Sequence, residues 1–275
     1  MKYLVAEHKV SLYRACQAVG MSRSGWYKTP QDRLERDGAV IMALTAVTDE
    51  HRRWGFWKSY DRLRLDGHPW NHKRVYRVYC QLGLNHKRRT KRRLPVRERQ
   101  PLDTPSMPNA VWAVDFMSDA LYVGRRFRTL NVLDEGMREG LTIEIDTSLT
   151  GERVIRVLER LSVWRGLPQA IRCDNGPELT SQVFVDWCGR MGITLRYIQP
   201  GKPNQNAFIE RFNRTYREEV LNSYLFEDLD QVREITYDWL IVYNERRPHD
   251  ALGGLPPTVF REQQTAKNST YELST

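Results

Sequence analysis

Three carboxylates stand where they could share a metal: Asp115 in Trp112-Ala-Val-Asp-Phe116, Asp174 in Arg172-Cys-Asp-Asn-Gly-Pro-Glu178, and Glu210 in Asn206-Ala-Phe-Ile-Glu-Arg-Phe212. Between the two Asp lie 58 residues, and 35 separate Asp174 from Glu210. Hard cations such as magnesium and manganese prefer carboxylate oxygens and water. Two such ions about 3.5–4 Å apart activate a water or a hydroxyl and stabilise the departing oxygen of a phosphoryl transfer. That chemistry needs no Ser, Cys or His nucleophile. The chain shows no convincing Ser-His-Asp set, no phosphate-binding Gly-rich loop and no Gly-x-Gly-x-x-Gly.

One Asp alone is usually a surface charge, so the case rests on placement. Asp115 interrupts the apolar run of Trp112, Val114 and Phe116, where an unpaired carboxylate costs several kcal/mol unless a cation offsets it. Asp174 closes a short strand and precedes Asn175-Gly176-Pro177, a sharp-turn signal. Strand ends beside a topological switch are where open α/β sheets place their sites. Glu210 is placed by helical arithmetic. Ile209, Phe212, Tyr216 and Val220 form an apolar stripe, and Asn206, Glu210, Arg214 and Arg217 form a polar face beside it. Arg214 and Arg217 either hold phosphates bidentately or pair with Glu210, Glu218 and Glu219.

The elements that must position these residues follow from periodicity and turn chemistry. Strand-like runs cover 111–117, 128–133, 141–145, 170–173 and 194–198. Helical patterns cover 152–164, 182–191, 204–222 (with Asn204 as N-cap) and 230–243. Three strands followed by alternating helices and strands predict an α/β fold, a mixed sheet covered by helices. The last dozen residues are polar and expected to fray.

The front of the chain differs. Residues 1–104 carry 23 Lys and Arg against 10 Asp and Glu, a net of +13, whereas 105–275 carry 20 against 24, a net of −4. This asymmetry suggests a nucleic-acid grip joined to a metal-binding core. Residues 10–28 read as a short helix-turn-helix, with Gly20 at the turn and Ser22 capping the second helix. An ordinary helical hairpin fits the same spacing. Helices are expected over 39–53, 57–66 and 72–82, the last carrying Lys73, Arg74 and Arg77. Lys87, Arg88, Arg89, Lys91, Arg92 and Arg93 form a basic run that either neutralises phosphates or is simply solvated. Pro95, Pro101, Pro105 and Pro108 mark a linker. The expected units are 1–38, 39–94, a linker at 95–108, a core at 109–262 and a tail at 263–275.

His68 and His72 are spaced like a zinc pair, but nothing nearby completes a tetrahedron, so zinc is not expected. Cys16, Cys80, Cys173 and Cys188 read as buried thiols of a reducing compartment. The N-terminus is charged too early for a signal peptide, and no apolar run approaches the ~20 residues of a membrane span. A cytoplasmic protein is expected.

These residues resemble the retroviral-integrase-like catalytic core, the DDE recombinases of the ribonuclease H-like fold. Within them the chain is similar to the OrfB product of bacterial two-frame insertion-sequence transposases. The resemblance rests on Trp112 to Phe116, Asp174 to Glu178, Pro200 to Glu210 with Arg217 seven residues on, and Tyr243-Asn-Glu-Arg-Arg-Pro-His-Asp-Ala-Leu252, and it covers roughly 39–260. It implies that Asp115, Asp174 and Glu210 bind two Mg2+ or Mn2+ ions and that Arg217 contacts terminal DNA. It also implies a helix-turn-helix-like DNA-binding domain before the core. The reaction implied is hydrolytic nicking at the element's ends and attack of the freed 3′-hydroxyl on another phosphodiester. The implied setting is an oligomer on double-stranded DNA, with an upstream-frame (OrfA-type) partner or fusion. The paired His and Cys of the retroviral N-terminal zinc domain are missing here. Two rivals stand beside this reading: a non-catalytic DNA-binding repressor of transposition, and a nuclease of the same fold that does not join.

Overall fold

The computed structural model describes residues 2–27, 33–85, 105–199 and 206–272. Three short helices open the chain: α1 (Lys2–Ala6), α2 (Leu12–Ala18) and α3 (Arg23–Tyr27). Gly20 takes the left-handed conformation (φ +65°) that the tight turn between α2 and α3 requires. The Ser22 hydroxyl accepts from the Gly25 amide at 3.1 Å and caps α3. Helices α4 (Arg33–Glu50), α5 (Phe56–Leu65) and α6 (His72–Gln81) pack around Val40, Leu44, Leu63, Val75, Val78 and Tyr79. The Asn71 side chain accepts from the Lys73 amide at 2.8 Å, which fixes the start of α6.

The core is a five-stranded mixed sheet of β1 (Val111–Ala120), β2 (Arg126–Asp134), β3 (Glu139–Asp146), β4 (Ala170–Cys173) and β5 (Thr194–Tyr197). Its order is β3-β2-β1-β4-β5. The β1–β2 and β2–β3 pairs are antiparallel, and β4 and β5 continue in parallel from β1. Because side chains alternate along a strand, β1 feeds two cores. Trp112 and Val114 face α7 (Gly151–Arg165) and α8 (Gln182–Arg190), packing with Leu158, Leu161, Phe184 and Trp187. Ala113 faces the other way, toward Ile209 and Phe212 of α9 (Ala207–Tyr216). Beyond a π-helical turn at Arg217–Leu221, α10 (Leu229–Ile241) covers Phe127 and Ile145 on that same face. A Cβ on Gly140 of β3 would lie 2.7 Å from Phe212 Cε2 and from Leu240 Cδ1, so α9 and α10 approach the sheet more closely than any side chain there would allow.

Several expectations are corrected. Helix α4 begins at Arg33, not residue 39, because Asp37 is drawn in by Arg74 and Arg77 of α6 and extends the packed helix. Helix α9 begins at Ala207 behind Asn206, and Asn204 lies outside the described residues. A final helix, α11 (Pro257–Glu272), occupies much of the expected frayed tail. Pro257 suits a first helical position, and Arg261 ties the helix to the core through Glu139 at 2.6 Å. Cys16, Cys173 and Cys188 are buried, but Cys80 is exposed. Among the described residues no helix is long and apolar enough to cross a membrane.

The helical region rests on the core through the stretch after α10. Lys58 Nζ donates to the Pro248 carbonyl at 3.1 Å, and Arg246 pairs with Glu50 at 2.8 Å. A Cβ on Gly254 would meet Asp61 Oδ2 at 3.0 Å. Both members of the Arg246–Glu50 pair are about half exposed, and such pairs contribute little. Arg246→Ala is therefore expected to cost less than about 1 kcal/mol in urea denaturation. A larger loss would show that this pair, rather than the buried contacts around it, holds the two regions together.

Candidate active site

The parallel register places the two Asp residues. Val111 pairs with Ala170, Trp112 with Ile171 and Ala113 with Arg172, a constant offset of 59. Carried two residues further, that offset sets Asp174 abreast of Asp115, at the end of β4. The turn after Asp174 closes on its own side chain: Oδ1 accepts from the Gly176 amide at 3.0 Å. Asp115 lies on the β1 face that carries Ala113, toward α9. Its Oδ1 accepts from the Phe116 amide at 2.9 Å and its Oδ2 from Asn213 Nδ2 of α9 at 2.7 Å. Glu210 stands one turn before Asn213 and is exposed.

Asp115 carries the strain of this grouping. Its carboxyl is pushed up to about 6, chiefly by burial, with the like charges of Asp174 and Glu210 adding to the rise. The hydrogen bonds from Phe116 and Asn213 pull the other way. Among the described residues no three His, Cys, Asp or Glu side chains converge into a closed set of metal ligands. Asp115, Asp174 and Glu210 nonetheless offer carboxylate oxygens, the donor type that hard cations prefer, and the charges of Asp174 and Glu210 both act on the partly buried Asp115.

Three family models match the chain in succession: an HTH-like domain over residues 35–92, an integrase core domain over 105–203, and a second integrase core model over 191–257. A 39.2 kDa protein of insertion element IS476 from Xanthomonas euvesicatoria is 40% identical over 247 residues, covering 90% of this chain and 71% of its own length. A 31.7 kDa protein of IS407 from Burkholderia multivorans is 40% identical over 257 residues, covering 94% and 92%. The chain belongs to the insertion-element transposases with an integrase core. Transposase InsF of IS3A from Escherichia coli is similar at 24% identity, over 97% of this chain and 100% of its own. The core is a mixed sheet flanked by helices that matches the integrase core models, and the helical region before it is HTH-like.

Around this integrase core the basic residues are placed unevenly. Arg217 donates to Asp119 Oδ2 at 3.0 Å and to the Ser118 carbonyl at 2.9 Å, so it lies along β1 and not against Glu210. Arg214 is exposed, whereas Asn206 is buried with its Oδ1 unpartnered among the described residues and is not part of an open polar face. Lys73 is exposed on α6. Arg74 and Arg77 are held by the buried Asp37, at 2.9 and 2.6 Å. Lys87, Arg88, Arg89, Lys91, Arg92 and Arg93 lie outside the described residues. His68 stacks on Trp70 at 4.2 Å between centroids, and His72 lies beside Trp57 and Tyr60.

Sequence reasoning missed three polar residues here. Asn213 sits on the apolar side of α9, where an amide gives no periodic signal. Glu178 forms an ion pair with Arg128, whose guanidinium also lies 4.5 Å over the Phe116 ring, beside the Asp174 turn. Glu135, fully buried behind β4, has Arg172 Nη1 at 3.2 Å. Burial pushes its carboxyl from 4.5 up to about 7, against the pull of Arg172, Arg138 and Arg196. The folded protein therefore holds this proton more tightly than the unfolded chain. The resulting stability is fully present below about pH 4.5 and is lost as pH rises through about 7. Glu135→Gln is expected to flatten the fall in melting temperature across that range. An unchanged slope would place the pH dependence elsewhere.

Proposed function

We propose that the protein nicks DNA at the ends of its insertion element and joins the freed 3′-hydroxyl to a second phosphodiester. The observation that carries this reading is the register that sets Asp174 abreast of Asp115, with Glu210 on the helix that hydrogen-bonds Asp115. Asp115, Asp174 and Glu210 would hold two magnesium or manganese ions, whose bound state supplies a nucleophile at neutral pH and charge relief at the departing oxygen. The side chains of the protein do the rest. The Asn175-Gly176 turn fixes Asp174 at the end of its strand, and Phe116 and Asn213 fix Asp115. Arg217, Arg214 and Lys73 would take up phosphates, and the basic run at 87–93 would add salt-dependent grip. Arg74 and Arg77 would contribute to DNA only by leaving Asp37. We place double-stranded DNA on the helical region and the active-site face, in a homo-oligomer, with an upstream-frame product as a further partner.

The test is a strand-transfer assay with labelled duplexes carrying the element's own ends, in magnesium and in manganese, beside Asp174→Asn. Metal-dependent joined products that vanish in the variant are expected. Binding without nicking would favour a repressor, and nicking without joining a nuclease.

A further inference from the structure

A chain of side-chain amides runs from the sheet to Asp115. Asn131 lies on β2 directly opposite Asp115 and is fully buried. Its Nδ2 is 3.2 Å from Met117 Sδ and 2.7 Å from Asn213 Oδ1. A thioether sulfur only accepts hydrogen bonds, so the Asn131 atom facing it must be the NH2 group. That fixes the next link. Asn213 must turn its oxygen to Asn131, and its own NH2 then faces Asp115 Oδ2 at 2.7 Å. The amides are thus polarised in one direction, each donating toward the carboxylate. Among the described residues Asn213 is the side chain that hydrogen-bonds Asp115.

We infer that Asn213 is a positioning residue for Asp115, with its orientation set by Asn131. This rests on the reading of Asp115 as a metal ligand. Oδ1 is held by the Phe116 amide and Oδ2 by Asn213, so the carboxylate plane cannot rotate. Each oxygen keeps one lone pair for a cation, in a fixed direction. Outer partners that hold a ligand in this way typically carry 10–100-fold in metal affinity or activity. Asn131 keeps Asn213 from presenting its oxygen to Asp115, which would set acceptor against acceptor.

The experiment uses the full chain with Asn213→Ala, Asn131→Leu and Asp115→Asn. It reads Mn2+ affinity by water-proton relaxation, joining in magnesium and manganese, and melting temperature without metal. Asn213→Ala is expected to weaken Mn2+ binding by about 10–100-fold. Saturating manganese should restore much of its joining, because the carboxylate is intact; Asp115→Asn should not recover. Asn131→Leu should lose Mn2+ affinity in the same direction but less. Its melting temperature should change little, since removing the Asn131 oxygen, buried without a partner among the described residues, offsets the loss of the donor to Asn213 Oδ1. A purely structural role would not separate affinity from melting in this way. Wild-type Mn2+ affinity in both Asn213→Ala and Asn131→Leu, with Asp115→Asn defective, would overturn the relay alone. Wild-type affinity and joining in Asp115→Asn would overturn the metal-ligand reading beneath it.

Discussion

Asp115→Asn is expected to abolish nicking and joining, by about 10³-fold or more, while leaving DNA binding at the wild-type level. The substitution keeps the shape of the side chain and removes its charge. What is lost is a charged ligand for the metals that would stabilise the transition state. At 1.36 kcal/mol per factor of ten, a fall of that size corresponds to about 4 kcal/mol, a reasonable loss for one ligand of a divalent site. Binding should survive because the HTH-like region, residues 35–92, precedes the integrase core and carries its own packed centre. Stability also carries a prediction. The folded Asp115 carboxyl sits at about 6 against an ordinary 3.8, so the charged form opposes folding above that pH. The Asn variant sheds that cost but sets its NH2 against either the Phe116 amide or the Asn213 amide, so it is expected to melt near wild type in metal-free buffer at pH 8. Gel shift, strand transfer and a melting curve on one preparation decide the matter. Loss of binding together with joining would point to unfolding instead of a lost ligand.

Asp134→Ala is expected to cost about 3–5 kcal/mol, the scale of removing one partner from a buried charged network. Asp134 is fully buried at the end of β2. Its Oδ1 accepts from the amides of Gly136 and Met137 at 2.9 and 3.1 Å, and its Oδ2 accepts from the Asn109 amide at 2.9 Å. Arg165 Nη2 lies 3.4 Å from Oδ2 and also pairs with Glu139 at 2.5 Å. Truncation leaves three backbone amides without an acceptor, each costing about 1–3 kcal/mol where water cannot reach. Space for relaxation is short, because a Cβ on Gly136 would already lie 2.6 Å from the Met107 carbonyl. A domain is stable by only about 5–15 kcal/mol, so the variant should unfold at markedly lower urea. A shift below about 1 kcal/mol would mean that packing, not this carboxylate, holds the β2–β3 turn.

Much of the core was legible because its signals are local. The five strands and the helices α7, α8 and α10 appear near their expected places, since alternation, helical spacing and turn residues act within a few positions. Helix α11 was not legible: its sequence is polar, and Arg261 is tied to the core by Glu139, far away in the chain. The same limit hid the destinations of charges. Arg74 and Arg77 read as exposed cations on a helix, but Asp37 of another helix claims both.

By itself the sequence determined which residues can serve as oxygen ligands, that Asp115 lies within a strand and Asp174 at a strand end, and that Glu210 sits on an amphipathic helix. Those are properties of local periodicity and residue type. Only the tertiary structure decided that β1 and β4 pair with an offset of 59, which brings the two Asp level, and that Asn213 faces Asp115. Register and cross-element hydrogen bonds depend on which faces bury together, and no window of contiguous residues contains that information.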